Sequence, residues 1–326
     1  MTTKNNVSDK IAVYLHRVGL LVCLGLYVLT SAQAQKQICI TVDDLPTVSR
    51  IYQTTSGQDS LTKRLLTQLT QHKVPAIGFV IGQKISNKGK LDQTQAGLLA
   101  QWVSAGMELG NHTYAHKGYN SISAAEYEQD VREGDLRLRP LLQRYGQPLR
   151  YFRHPYLQRG NTVTKRDSLV RYLADYAYKE APVSIDNADY LFSAAYEVAL
   201  LRKDTTLAAS IGQHYVDYML ACVHYYESQA DSLFKRPIAH ILLTHANTIN
   251  SVYLGKILSS LEVDGYRFIS LEQALRDSAY HSQDTYVSSG GISWIHRWAI
   301  TQGKRGNFFR GEPEVPPAIV SLAEGK

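Results

Sequence analysis

Apolar and amphipathic stretches alternate along most of this 326-residue chain. Short apolar runs rich in β-branched residues predict seven strands, at 37–42, 76–81, 107–110, 149–152, 178–185, 238–243 and 266–269. Stretches with helical spacing follow them, at 60–72, 94–105, 123–145, 164–176, 252–261 and 271–276. This alternation predicts an α/β fold with a mostly parallel sheet. Seven units with polar strand ends indicate a distorted or incomplete (β/α) barrel whose active site lies at the strand ends.

Two segments depart from this alternation. Residues 190–234 predict two helices with no strand between them, which we interpret as a helical insertion. From residue 278 to the end, the chain is richer in Gly, Pro and Ser and lacks clean periodicity. Within this C-terminal extension, Trp294 and Trp298 predict packing against the barrel, since tryptophans usually anchor such tails. A lip over the active site is the alternative.

The first 34 residues have the features of an export signal. Three basic residues precede the apolar run Val18–Leu29, and residues 30–34 end in the small-x-small pattern that signal peptidase accepts. The run is short for a membrane span. We therefore expect cleavage, a mature domain beginning near residue 35, and a periplasmic or secreted location. An uncleaved anchor is the alternative.

Composition excludes some classes of partner. The net charge of +6 is spread along the chain, and residues 1–34 carry part of it, so no basic patch for nucleic acid stands out. Two cysteines remain after the signal, Cys39 and Cys222. They could pair in an oxidising compartment, or Cys39 could be a buried free thiol inside the first strand.

Paired carboxylates directly follow the first predicted strand, at Asp43 and Asp44. Adjacent carboxylates repel, so such a pair usually binds a cation or shares a proton. His112 and His116 are four residues apart, which would place both imidazoles on one side of a helical turn. Two His and one carboxylate leave positions open for water and substrate, as in catalytic rather than structural metal sites.

Further strand ends supply groups for acid–base chemistry. One of the two aspartates remains as a base for an activated water, and Arg153 is a natural partner for its charge. His245 ends an apolar strand and could protonate a leaving group, with Asp186 raising its pKa and fixing its tautomer. A purely structural role for either pair is the alternative.

These segments, taken in order, resemble the five motifs of the polysaccharide deacetylases, the NodB homology domain of family 4 carbohydrate esterases. The segments are Thr41–Asp44, His112–His116, Arg153–Tyr156, Asp186–Tyr190 and Leu243–His245. Any one motif is weak evidence, whereas five in order over residues 37–276 are specific. The resemblance implies a deacetylase domain over 35–277, with residues 278–326 outside it.

The resemblance also implies a role for each site residue. The metal ligands would be Asp44, His112 and His116. Asp43 would be the base, steadied by Arg153. The backbone N–H of Tyr156 would contribute to the oxyanion hole, and His245 would be the acid, with Asp186 behind it.

Several positions depart from the family pattern. Val42 replaces the usual Phe, Leu45 and Pro46 replace Gly-Pro, and Tyr190 replaces a Trp that lines the substrate groove. His154 and Leu157 are unusual beside the third motif. These departures concern the identity of the substrate more than the reaction type.

The sequence therefore predicts an exported, metal-dependent hydrolase that acts on C–N bonds other than peptide bonds. We expect it to remove the N-acetyl group from an amino-sugar polymer or oligomer, such as a cell-envelope polymer. Zn²⁺ suits two His and one Asp, although Co²⁺, Ni²⁺ or Fe²⁺ fit the same ligands. The alternatives are an O-acetyl esterase, a hydrolase of non-sugar amides, and a non-catalytic glycan-binding envelope protein.

Overall fold

Parallel strands connected by helices organise this protein, as a computed structural model shows for residues 35–325. The strands are β1 (Lys36–Val48), β2 (Ile77–Val80), β3 (Ser86–Asn87), β4 (Lys90–Leu91), β5 (Glu108–Asn111), β6 (Tyr151–Phe152), β7 (Lys179–Glu180), β8 (Ala239–Asn247) and β9 (Tyr266–Phe268). The helices are α1 (Thr55–Gln71), α2 (Gln93–Ser104), α3 (Ala124–Gln143), α4 (Val163–Asp175), α5 (Asp189–Leu201), α6 (Thr205–Phe234), α7 (Asn250–Val263), α8 (Leu271–Ala274), α9 (Trp294–Thr301) and α10 (Pro317–Ala323).

The main sheet curls into a distorted barrel. Its strands follow the order β7-β6-β5-β2-β1-β8, and β9 pairs with the beginning of β1. The segment that follows β7 returns to the other edge, where Ile185 forms a parallel bridge with Leu242 of β8. The predicted α/β barrel of about seven parallel strands is therefore confirmed. Strands β6 and β7 are much shorter than predicted, with two residues each.

Alternation along β1 divides the core into two layers. Ile38, Ile40 and Val42 belong to the large cluster that includes the helices, whereas Cys39 belongs to a small cluster shared with the other strands. This period of two is what a strand buried on both faces requires. The small cluster consists of Cys39, Ile77, Phe79, Tyr151, Ala181, Ala239, Ile241, Ile269, Leu271 and Ala274.

The helical predictions are confirmed with small shifts at the ends. Helix α3 begins with a capping box, in which Ser123 and Glu126 each accept a backbone hydrogen bond from the other. The two helices predicted for residues 190–234 are α5 and α6. Both remaining cysteines, Cys39 and Cys222, are buried free thiols, in different apolar clusters.

The C-terminal extension packs on the barrel, as its tryptophans predicted. Trp294 and Trp298 are buried, and the ring of Trp298 meets the edge of Phe234 at the end of α6. From Lys36 onward the described chain forms one compact unit that includes the extension. Within residues 35–325, no helix combines the length and apolarity needed to cross a membrane. The predicted signal peptide lies outside the described residues.

Candidate metal centre and active site

Asp43 and Asp44 both face the same pocket, although they are neighbours on strand β1. Regular alternation would send consecutive side chains to opposite faces of the sheet. Asp44 has a φ of 67°, and the pairing of β1 with β8 shifts register just after Asp43. This irregularity lets two adjacent carboxylates serve one site. Non-glycine residues with positive φ are uncommon and concentrate at functional sites.

The two histidines of the second motif lie on an irregular loop, not on the helical turn that their spacing predicted. That prediction was wrong because side chains compete for the backbone hydrogen bonds of a helix. Thr113 donates its N–H to the side chain of Asn111 at 2.8 Å, and the hydroxyl of Thr113 accepts the N–H of His116 at 3.0 Å. Positive φ values at Thr113 and His116 then bring both imidazoles towards Asp44.

Asp44, His112 and His116 have the geometry of a metal-binding triad. Their nearest ligand atoms lie within 4.8 Å of one another. Asp44 Oδ1 is 3.4 Å from His112 Nε2 and 3.3 Å from His116 Nε2. That oxygen is buried and has no hydrogen-bond partner within residues 35–325, as expected for an atom that ligates a cation. The residues therefore fit the metal that the resemblance implies.

Neighbouring groups fix the orientation and the protonation state of these candidate ligands. The Nδ1 of His112 lies 2.8 Å from the carbonyl oxygen of Arg153, so the ring donates there and leaves Nε2 available. Burial by itself would raise the pKa of Asp44. The hydrogen-bonding imidazole of His112 and the positive charges of His245 and Lys84 outweigh this effect and hold that pKa well below its usual range. Burial and the charge of His112 lower the pKa of His116 to about 3, which favours the neutral ligand form.

Asp43 lies beside the triad and is held by a buried arginine. Its Oδ2 is 3.4 Å from a guanidinium nitrogen of Arg153, and its Oδ1 is buried without a hydrogen-bond partner in the described part of the chain. Arg153 also donates to the hydroxyl of Thr41 at 3.1 Å and stacks over Phe79 at 4.7 Å. Asp43 therefore has one oxygen beside Arg153 and a second oxygen left as an acceptor in the pocket.

His245 pairs with Asp189, not with Asp186 as the sequence predicted. Its Nδ1 lies 2.6 Å from Asp189 Oδ1. The other oxygen of Asp189 accepts the backbone N–H of His245 at 2.9 Å and the side-chain amides of Asn247 and Asn250. The prediction was wrong because Asp189 is the first residue of helix α5, and the carboxylate of Asp189 is buried beside strand β8.

The pair leaves His245 strongly basic. Burial lowers the pKa of His245, but the charge and hydrogen bond of Asp189, with the charges of Asp44 and Asp43, raise it to about 10. The imidazole is therefore protonated at neutral pH. It is positioned to donate its Nε2 proton into the pocket, because Nδ1 is engaged with Asp189.

Asp186 also lines the pocket, with a different environment. Its Oδ1 accepts the backbone N–H of Asn187 at 2.8 Å. Burial, together with the charge of Glu312, raises the pKa of Asp186 to about 6 despite the opposing hydrogen bond from Asn187. Asp186 is thus a pocket-lining carboxyl that does not orient His245.

Exposed tyrosines border the pocket, which has a volume of about 870 Å³. Tyr156 and Tyr190 are 60% and 57% exposed, so either ring is free to stack against a sugar. Tyr156 and its neighbour Leu157 both have positive φ values, and the Tyr156 ring meets the edge of His116 at 4.7 Å. The predicted oxyanion residue therefore lies directly beside the candidate metal triad.

Sequence reasoning missed two supporting residues. Lys84 donates from Nζ to the carbonyl oxygens of Asp44 at 2.8 Å and Thr47 at 3.2 Å, which holds the irregular last part of β1 at the carboxylate pair. The buried carboxylate of Glu197 accepts from the hydroxyl of Ser49 at 2.7 Å and from the N–H of Arg50 at 3.1 Å. A Lys in a short 3₁₀ segment and a Glu within a helix carry no distinguishing sequence signal.

Part of this chain matches a known protein family. The polysaccharide deacetylase family model matches residues 30–174. The resemblance to the polysaccharide deacetylases is confirmed. The matched stretch contains the carboxylate pair, both histidines of the second motif, and the third motif with its arginine and tyrosine. The later polysaccharide deacetylase motifs, with Asp186, Asp189 and His245, lie beyond it.

A chitooligosaccharide deacetylase from Bradyrhizobium sp. (strain ANU 289) is 37% identical over 70 residues, which are 22% of this chain and 29% of that relative's length. A peptidoglycan deacetylase from Bacillus subtilis has 17% identity and a TM-score of 0.47, covering 74% of this chain and 91% of that one. A family 4 carbohydrate esterase pseudoenzyme from Bacillus anthracis has 16% identity and a TM-score of 0.46, covering 74% and 66%.

Proposed function

We propose that this protein is an exported, metal-dependent deacetylase that hydrolyses the N-acetyl group of an amino-sugar oligomer or polymer. The observation that carries the proposal is the convergence of a two-His, one-Asp triad, a second aspartate and a protonated histidine on one pocket. Amide hydrolysis needs these three elements: an activated water, a base to take its proton, and an acid for the leaving amine.

Asp44, His112 and His116 would hold the metal, with Zn²⁺ the best match to their donor atoms. When bound, a divalent cation supplies a Lewis acid that polarises the acetyl carbonyl and lowers the pKa of water. The triad supplies only three protein ligands, one carboxylate and two imidazoles. Coordination positions therefore remain for substrate and water.

Asp43 would take the proton from the attacking water. Its oxygen lies 3.4 Å from the guanidinium of Arg153, and its second oxygen has no partner among the described residues. The arginine places a positive charge beside the carboxylate, and Asp43 lines the pocket in which the water would react. A positioned carboxylate base of this kind typically contributes about 10²–10⁴-fold to the rate.

His245 would then protonate the departing amine. The ring is charged at neutral pH because Asp189 stabilises the imidazolium, and its free nitrogen points to the pocket. Amines are poor leaving groups when unprotonated, so this proton transfer is needed for the C–N bond to break. The backbone N–H at Tyr156 would donate to the tetrahedral oxyanion, commonly the largest electrostatic contribution to such catalysis.

A glycan substrate is supported by the exposed rings of Tyr156 and Tyr190 at the pocket border and by the 70-residue match to a chitooligosaccharide deacetylase. Export is supported by the signal-like residues 1–34. The protein would thus act on an N-acetylated glycan outside the cytoplasm, such as a cell-envelope polymer.

Acetate release tests the proposal. Purified mature protein is incubated with N-acetylglucosamine oligomers, with peptidoglycan and with O-acetylated xylan, before and after chelation, and then with Zn²⁺ or Co²⁺ restored. We expect chelator-sensitive, metal-restored release from the N-acetylated substrates. Release from the O-acetylated polymer alone would contradict the N-deacetylase proposal, as would no release by metal-loaded protein.

A further inference from the structure

The C-terminal extension reaches the active-site pocket at two separate places. Gly291 lines the pocket beside Tyr156, and Ala323 and Glu324 line it at the end of helix α10. These residues come from beyond residue 278 and from outside the segment that the family model matches. The extension is therefore part of the pocket wall, not a tail on a distant surface.

The first contact is tight and anchored by charge. A Cβ atom at Gly291 would lie 1.8 Å from the carbonyl oxygen of Tyr156, so the two backbones touch directly. Nearby, Asp284 forms ion pairs with Arg159 at 3.2 Å and with the buried Arg297 at 2.8 Å. A buried ion-pair network of this kind holds the extension against the loop that carries Tyr156.

The second contact places α10 against helix α5. Ile319 and Ala323 are one helical turn apart, are buried, and belong to the same apolar cluster as Ala195 and Ala199 of α5. The two helices pack against each other. Helix α5 also lines the pocket, through residues that include Tyr190 and Ala194. Helix α10 thus extends the part of the pocket wall that α5 forms.

We propose that α10 and α5 form an end wall that restricts the pocket to a short N-acetylated oligosaccharide or to the terminal sugars of a chain. This inference rests on the proposed function and concerns its substrate. The pocket volume of about 870 Å³ fits a compact ligand, since pockets for such ligands span about 300–1,000 Å³. An end wall stops additional sugars from adding contacts beyond those that the pocket encloses.

Binding measured without turnover tests the end wall. In the Asp43→Asn protein loaded with metal, calorimetry gives Kd for the dimer, trimer and hexamer of β-1,4-linked N-acetylglucosamine. We expect the hexamer to bind no more tightly than the trimer. A hexamer that binds about tenfold more tightly, a difference of about 1.4 kcal/mol, would contradict an end wall. Failure of all three to bind would instead contradict the proposed function.

A matched pair of variants tests the part played by α10. Ile319→Glu places a charge in the contact with α5, whereas Ala318→Glu places the same charge on the exposed face of the same helix. Undocking α10 should strengthen hexamer binding about tenfold relative to the trimer, while Ala318→Glu leaves the ratio unchanged. An unchanged ratio after undocking, checked by hydrogen exchange in α10, would overturn the proposal. If Ile319→Glu does not fold, the comparison of oligomers in the unaltered wall still decides the matter.

Discussion

The imidazole of His245 donates its Nδ1–H to the carboxylate of Asp189 across 2.6 Å. The same carboxylate accepts three further N–H groups, from the His245 backbone and from two asparagine side chains, so its orientation is fixed. Asp186, three residues earlier, lines the pocket but bonds to the N–H of its own neighbour, Asn187. The proposed acid, His245, therefore depends on Asp189.

Replacing Asp189 should change the pH dependence of the reaction. The carboxylate raises the pKa of His245 to about 10, so the acid stays protonated until the pH rises through that value. In Asp189→Asn the pKa should fall by about 1–3 units, the usual effect of losing an adjacent opposite charge. The alkaline limb of kcat/KM should move to lower pH by the same amount.

Asp186→Asn is the matched control, because it removes a carboxyl of the same segment and the same pocket. We expect it to leave the alkaline limb near its original position. A profile shifted by Asp186→Asn but not by Asp189→Asn would show that the assignment of the His245 partner is wrong.

Removing the base should separate metal binding from turnover. In Asp43→Asn the shape of the side chain is kept, and the triad of Asp44, His112 and His116 is intact. We expect full metal content by elemental analysis and a loss of kcat of about 10²–10⁴-fold. If Asp43→Asn retained its turnover, the assignment of Asp43 as the base would be wrong.

Metal affinity should depend on the triad. His116→Ala removes one ligand atom, and the affinity for Zn²⁺ should fall by more than about 100-fold, since losing even an outer partner costs 10–100-fold. His224→Ala is the control, because His224 is an exposed histidine that pairs with Asp264 away from the pocket. Competition with a coloured chelator measures both. Equal affinities in the two variants would exclude His116 as a ligand.

The close approach of Gly291 to Tyr156 gives a test of the oxyanion loop. In Gly291→Ala the new methyl group must displace the Tyr156 carbonyl, which would lie 1.8 Å away. A displacement of about 1 Å near reacting atoms costs about 10²-fold, so kcat should fall by this order while metal content is kept.

Gly290→Ala is the natural control for that substitution. A Cβ at Gly290 would meet no atom within 4 Å, and its backbone conformation suits an L residue. Its kcat should equal that of the unaltered protein. Equal activities of the two alanine variants would mean that the extension does not hold the Tyr156 loop.

The sequence predicted the strand–helix order because buried parallel strands are apolar throughout and their helices keep a clear 3.6-residue period. It also predicted the capped start of α3 at Ser123 and associated the carboxylate pair with the first strand, although β1 continues past the pair to Val48. Each of these depends on residues that are close in the chain. Local sequence patterns were therefore sufficient to predict the secondary-structure elements that carry the site.

Predictions failed where side chains override local spacing. The spacing of His112 and His116 indicated a helical turn, but the Asn111 and Thr113 side chains accept backbone N–H groups and produce a loop with positive φ values. Whether Asp186 or Asp189 pairs with His245 depends on which carboxylate contacts strand β8. That contact is tertiary, and the spacing of residues in the sequence does not encode it. The contacts of Gly291 and Glu197 with distant loops are likewise tertiary, and no local pattern marks them.

Metal-dependent deacetylation with Asp43 as base is decided by comparing the native protein with Asp43→Asn at equal, verified Zn²⁺ content. Acetate released from an N-acetylglucosamine oligomer is followed before chelation, after chelation, and after the metal is restored. We predict release by the native protein that disappears with the metal and returns with it, and almost none by Asp43→Asn at any stage. Release that persists without metal, or that is equal in the two proteins, would contradict metal-dependent deacetylation with Asp43 as base.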